Sequence, residues 1–87
     1  MIIKDTVAVV TGGTQGIGLA IAIDLAKKGS KVFVTARHDI SDDAVKEQIQ
    51  GLDINFKELD IRDDAKIGEL LNDIKEEFGH LDIIVNN

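Results

Sequence analysis

Short apolar runs alternate along the chain with stretches whose apolar positions recur at helical spacing. Residues 4–10, preceded by Ile3 and ending in Val7-Ala8-Val9-Val10, form a β-branched run stopped by Thr11-Gly12-Gly13. Such a run suits a strand covered on both faces. Residues 16–28 are strong helix formers, with Ile17, Ile21 and Leu25 at i, i+4, i+8. Leu19 and Ile23 add to that apolar set and leave little polar surface before Asp24, Lys27 and Lys28. This predicts a helix packed tightly on a sheet. Gly29 is placed to stop it, and residues 32–35, Val-Phe-Val-Thr, read as the next strand. Ser41 with Asp42 and Asp43 supplies a capping hydroxyl and two carboxylates to a second helix start, which Val45, Gln48 and Ile49 continue weakly as far as Gly51. A third strand is expected over residues 54–59. Asp63 can cap a third helix whose Ile67, Leu70, Leu71, Ile74 and Phe78 follow the 3,4 spacing; Gly79 ends it and residues 81–85 read as a fourth strand. The order β-α-β-α-β-α-β implies right-handed crossovers and a parallel sheet with helices on both faces.

The turn between the first strand and first helix carries most of the chemistry. In Thr11-Gly12-Gly13-Thr14-Gln15-Gly16-Ile17-Gly18 the glycines permit positive φ and close approach of the backbone to a ligand, while N–H groups at the helix start receive negative charge. The spacing Gly-x-x-x-Gly-x-Gly departs from Gly-x-Gly-x-x-Gly. Because Leu19 and Ala20 follow Gly18, the Lys-Ser/Thr ending of a phosphate-binding P-loop is also absent. A turn shaped by glycines alone is the competing reading.

Composition narrows the possible partners. Eighty-seven residues hold at most one small domain. Such a domain buries about 60–70% of its unfolded chain's surface, so its stability is expected to be modest. There is no cysteine, and two isolated histidines do not make a metal cluster. A cytoplasmic chain is therefore expected. Although 44% of residues are apolar, no uninterrupted run approaches the roughly 18 residues of a spanning helix, and the start of the chain lacks the pattern of a cleavable signal. A formal charge of −6 disfavours nucleic acid but leaves room for a local positive site holding one phosphorylated ligand.

Three motifs in register resemble those of the short-chain dehydrogenase/reductase family. The glycine turn is similar to that family's Thr-Gly-x-x-x-Gly-Ile-Gly loop. Asp60-Ile61 looks like its adenine-contacting Asp-Val/Ile pair, and residues 78–87, ending Ile84-Val85-Asn86-Asn87, look like the approach to its Asn-Asn-Ala-Gly motif. The resemblance implies a Rossmann-like, doubly wound α/β fold with strands in the order 3-2-1-4. It implies a pyrophosphate loop at Gly12, Gly16 and Gly18, with Thr14, Gln15 and Ile17 on the same turn. Asp60 would accept from the adenine amino group beside Ile61, and Asn86 would lie along the adenosine portion. Asp60 as a solvated turn residue is the plainer alternative. A methyltransferase using S-adenosylmethionine can share the architecture, but the residue pairs at 60–61 and 86–87 argue against it.

Cofactor preference turns on the end of the second strand, where a carboxylate suits ribose hydroxyls and arginine suits a 2′-phosphate. Ala36 stands where NAD-preferring relatives resemble one another in carrying Asp, and Arg37 follows. NADP is therefore expected, with NAD as the alternative that Gln15 and Asp39 keep open. Asp82 reads as a structural turn or cap, His38 and His80 as loop residues, and Asp42-Asp43 and Asp63-Asp64 as helix starts. No residue is assigned to a metal or to catalysis, since the serine and Tyr-x-x-x-Lys that the resemblance implies have no counterpart here. The expectation is an NADP(H)-binding, N-terminal portion of an oxidoreductase, inactive alone. A stand-alone adenine-nucleotide module and a structural fragment that binds no dinucleotide are the alternatives. With the fourth strand at an edge, a homo-oligomer formed through that strand or an uncovered sheet face is also expected.

Overall fold

The computed structural model describes residues 2–38 and 41–86. Its elements are β1 (Val7–Thr11), α1 (Gly16–Lys27), β2 (Lys31–Ala36), α2 (Asp43–Ile49), β3 (Ile54–Glu58), α3 (Asp64–Phe78) and β4 (Ile83–Val85). All pairings are parallel, in the order β3-β2-β1-β4. The fold class and strand order expected from the sequence are those observed.

Alternation along the central strands divides the core. Ala8, Val10, Val32 and Val34 face Ala22 and Ala26 of α1, whereas Val7, Val9 and Phe33 face Ile74 of α3. Leu19 and Ile23 extend the first layer to Val45 and Ile49 of α2. Helices α1 and α2 thus cover one sheet face and α3 the other, so Val7 to Val10 and Val32 to Val34 are apolar on both faces of the central strands.

The α1 stripe differs from the expected one. Its buried residues are Gly18, Leu19, Ala22, Ile23 and Ala26, while Ile17 is 74% exposed and Ile21 and Leu25 lie at the flanks. Gly18, Ala22 and Ala26 recur every fourth residue, and their small side chains let the helix axis approach the sheet. Bulk pointed to the Ile17 stripe; close approach selected its neighbour. The helix ends in a Schellman turn at Gly29 (φ 96°), where the Gly29 N–H donates to Ala26 O at 3.0 Å and the Ser30 N–H to Leu25 O at 3.1 Å.

Several boundaries also moved: β2 runs one residue further at each end than expected, and α1 and β3 stop one residue sooner. β1 begins at Val7, not at residue 4, because Asp5 takes φ 66° and the Thr6 N–H closes a turn onto Ile3 O. The N-cap of α2 is Asp42, not Ser41; its carboxylate accepts from the N–H groups of Ala44 at 2.9 Å and Val45 at 3.4 Å. β4 begins at Ile83, since Leu81 packs against the α3 layer and Asp82 is turned back onto β1. Asp63 caps α3 as expected, accepting from the Lys66 N–H.

Asp82 has the structural role read from the sequence. Its Oδ2 accepts from the Val7 N–H at 2.8 Å and lies 2.6 Å from His80 Nδ1, while its own N–H donates to Val7 O. The Val7 N–H, and then the His80 ring, hold the Asp82 carboxyl below its ordinary range. A depressed carboxylate contributes stability that is complete above its unfolded pKa, about 3.9, and is lost as pH falls through the lower folded value. Asp82→Asn should therefore unfold more readily than the unaltered chain near neutral pH, with the gap closing at pH values below about 4. Urea midpoints measured across that range test this, and a gap independent of pH would contradict it.

Candidate functional site

Because the strands are parallel, their carboxyl ends lie at one edge of the sheet, where open α/β folds place ligands. Gly12 follows β1, Arg37 follows β2, Asp60 follows β3 and Asn86 follows β4. A cleft of about 380 Å3 there is lined by Gly12, Thr35, Ala36, Arg37, Leu59, Asp60, Ile61 and Arg62. It brings together four residues selected from sequence: Gly12, Arg37, Asp60 and Ile61. An adjoining apolar cleft joins Ile61 to Asn86 between the sheet and α3, with Thr11, Ile67, Leu70 and Ile84 among its walls. Thr14, Gln15, Gly16, Ile17 and Gly18 occupy the turn and first turn of α1 and line neither cleft. Asp39 and Asn87 lie outside the described residues.

The glycine turn is held in place from both sides. Gly12 (φ 65°) donates its N–H to Thr35 O at 2.7 Å, and Thr11 Oγ1 donates to Val85 O at 3.2 Å. Gly16 takes φ 59° with open space where a Cβ would project, so its glycine serves backbone conformation and leaves the approach to α1 clear. Gly13 was not selected from sequence as a site residue. A Cβ there would stand 2.6 Å from Val34 Cγ1, so the turn lies directly on the core. Its glycine belongs to packing, a requirement that becomes visible only when Val34 is brought beneath it.

Electrostatics distinguish α1 from the other helices. Asp42 and Asp63 cap α2 and α3, whereas Gln15 makes no side-chain cap to α1, whose first turn contains no acidic residue. The positive end of α1 is therefore not offset by a carboxylate of its own, an arrangement that favours a phosphate-bearing ligand there. The turn and the exposed Arg37 fit a 2′-phosphorylated dinucleotide in donor chemistry: backbone amides at α1 for the diphosphate and a guanidinium at the end of β2 for a further phosphate.

Asp60 already carries a partner. Arg62 donates from its backbone N–H to Oδ1 at 2.9 Å, from Nε to Oδ1 at 3.1 Å and Oδ2 at 3.3 Å, and from Nη2 to Oδ2 at 2.8 Å. The Arg62 side-chain bonds first, and its backbone N–H second, hold the Asp60 carboxyl far below the usual range; Arg37 adds a smaller attraction. Arg62 thereby fills the roughly four acceptor positions of the carboxylate, so an amino group received at Oδ2 would take the place of the longest contact, from Nε at 3.3 Å.

Among the described residues, no group of three or more His, Cys, Asp or Glu could hold a metal, and no helix is long and apolar enough to cross a membrane.

Comparison with known proteins places this geometry among relatives. Residues 6–87 match the short chain dehydrogenase family. The chain is 45% identical over 87 residues to an NADP-dependent (R)-specific alcohol dehydrogenase of Lentilactobacillus kefiri, covering 98% of this chain and 34% of that one. It is likewise 45% identical over 84 residues to the NADPH carbonyl reductase 1 of Homo sapiens, covering 93% and 30%. A short chain dehydrogenase from Bacillus anthracis superposes with a TM-score of 0.84 at 31% identity, over 100% of this chain and 36% of that one. The chain thus spans about a third of the length of these relatives.

Proposed function

The chain belongs to the short-chain dehydrogenase family, and from that premise we propose that it forms the adenosine-binding part of an NADP(H)-dependent oxidoreductase acting on a carbonyl or alcohol. The observation that carries the reading is the convergence of Gly12, Arg37, Asp60 and Ile61 on one cleft at the strand ends, with the uncapped start of α1 beside it. In this arrangement the α1 amides receive the diphosphate, Arg37 pairs with the 2′-phosphate, and Asp60 Oδ2 accepts from the adenine amino group. Ile61 and Asn86 border the adenosine side. The NADP-dependent relatives support the same preference. When bound, the nicotinamide supplies hydride chemistry; the residues described above bind and orient the other end of the molecule. No catalytic role is assigned to any residue of this chain, which has no tyrosine to serve as the proton-donating phenol.

Arg37→Ala should weaken binding of adenosine 2′,5′-bisphosphate by about 1.5–3 kcal/mol, the scale of a hydrogen bond to a charged group, and leave 5′-AMP nearly unchanged. Titration calorimetry with both nucleotides tests the assignment. Equal loss for both would show that Arg37 does not read the 2′-phosphate, and failure of the unaltered chain to bind either would remove the dinucleotide reading itself.

For these 87 residues on their own, a second copy of the chain is the partner proposed for β4. Edge strand β3 presents Lys57 and Glu58 to solvent, charged residues that discourage pairing, whereas β4 consists of Ile83-Ile84-Val85 with Ile84 52% exposed. Two such edges can meet antiparallel about a two-fold axis. Sedimentation equilibrium should show a dimer that Ile84→Lys converts to monomer. A folded monomer at high concentration, or a dimer indifferent to the lysine, would refute it.

A further inference from the structure

The contacts between Asp60 and Arg62 do little for the fold. The Arg62 side chain is 75% exposed, and exposed ion pairs contribute about 0–1 kcal/mol. The pair nevertheless lies on the wall of the cleft that also holds Arg37, in a chain of net charge −6. A neighbouring depression continues from Arg37 and Asp60 to Glu58 and Lys66. Without Arg62, this end of the sheet would set two carboxylates, Asp60 and Glu58, against the positive charges of Arg37 and Lys66. A dianionic phosphate drawn to Arg37 would then face an Asp60 without its hydrogen-bonded guanidinium.

Geometry decides how Arg62 changes that balance. Its Nε and Nη2 span both oxygens of Asp60 in a fork, and its backbone N–H fixes Oδ1 from the same side. The guanidinium charge is therefore spent on the carboxylate, which keeps its ionised, acceptor form. An adenine amino group can take the place of the 3.3 Å Nε contact on Oδ2 while the Nη2 bond keeps the guanidinium on the carboxylate and offsets its repulsion on a nearby phosphate.

We propose that Arg62 is a positioning residue for 2′-phosphorylated adenosine ligands: by pairing with Asp60 it offsets a carboxylate that would otherwise repel the phosphate held by Arg37. The inference rests on the dinucleotide reading and adds to it a residue that acts through Asp60. It also separates two tasks at the cleft, since Arg37 attracts the phosphate and Arg62 removes the penalty of having an acid beside it.

The test is a double-mutant cycle read as the ratio of affinities for adenosine 2′,5′-bisphosphate and 5′-AMP, measured by titration calorimetry. Arg62→Ala should lower that ratio about tenfold, the scale of one unscreened like charge near a partly solvated site. Arg62→Lys should recover most of it. In an Asp60→Asn background, where no charge remains to offset, Arg62→Ala should leave the ratio within about twofold. An unchanged ratio for Arg62→Ala would overturn the proposal. So would an equal fall in the Asp60→Asn background, which would mean direct contact between Arg62 and the phosphate. If the unaltered chain binds neither nucleotide, the dinucleotide reading fails and this inference with it. Binding of both nucleotides with no dependence on Arg62 defeats the inference alone.

Discussion

Ile74→Ala should destabilise the chain by about 2–5 kcal/mol, the cost of removing a large aliphatic side chain and leaving a partly collapsed cavity. Ile74 is 3% exposed and is the buried residue of α3; it packs with Val7, Val9 and Phe33. Leu70, Leu71 and Phe78 join that layer only at its margin. The mutation therefore removes the centre of the contact between α3 and the sheet. In a small domain whose total stability is about 5–15 kcal/mol, such a loss is a large fraction of the whole. Urea denaturation followed by circular dichroism measures it. A cost below about 1 kcal/mol would mean that α3 is held chiefly by its margins. Because Ile67, Leu70 and Leu71 wall the apolar cleft shared by Ile61 and Asn86, folded Ile74→Ala protein should also bind adenosine ligands more weakly.

Gly13→Ala should cost about 1–3 kcal/mol, although the substitution adds only one methyl group. At the native backbone position that methyl would lie 2.6 Å from Val34 Cγ1 and 2.8 Å from Val34 Cβ. Val34 is fully buried at the centre of the sheet, and its branched side chain has little rotamer freedom with which to yield. The turn must lift instead, carrying Gly12 away from Thr35 O. Val34→Ala should be destabilising alone yet partly relieve Gly13→Ala, so the double variant should be more stable than the two separate costs imply. Strict additivity in chemical denaturation would show that the turn adjusts without pressing on Val34. Lifting the turn should also impair adenosine 2′,5′-bisphosphate binding, since it displaces the backbone at the α1 start.

Much of this was legible from periodicity. Valine runs at β1 and β2, and the 3,4 spacing from Ile67 to Phe78, predict the elements that form, because strands covered on both faces need apolar residues throughout and surface helices need one stripe. Boundaries were less legible. Asp5 turns the chain before β1, and Asp42 takes the α2 cap from Ser41, since either residue can cap and the geometry of the incoming chain chooses between them. The α1 stripe was misplaced by one position because helical spacing identifies candidate faces, while the distance to the sheet favours the one with Gly18, Ala22 and Ala26.

The sequence by itself determined the alternating α/β order, the glycine turn at the end of β1 and the presence of arginine where a carboxylate would favour NAD. These depend on neighbouring residues and their spacing. The tertiary structure alone decided that Gly13 rests on Val34, that Arg62 closes on the Asp60 carboxylate, and that Asp82 receives the Val7 N–H from 75 residues away. The physical reason is that local pattern records which side chains avoid water, whereas packing and charge pairing depend on which segments the parallel sheet brings side by side. Gly13 and Gly16 stand three residues apart in one motif, yet one is required by a valine of the next strand and the other by its own backbone angle.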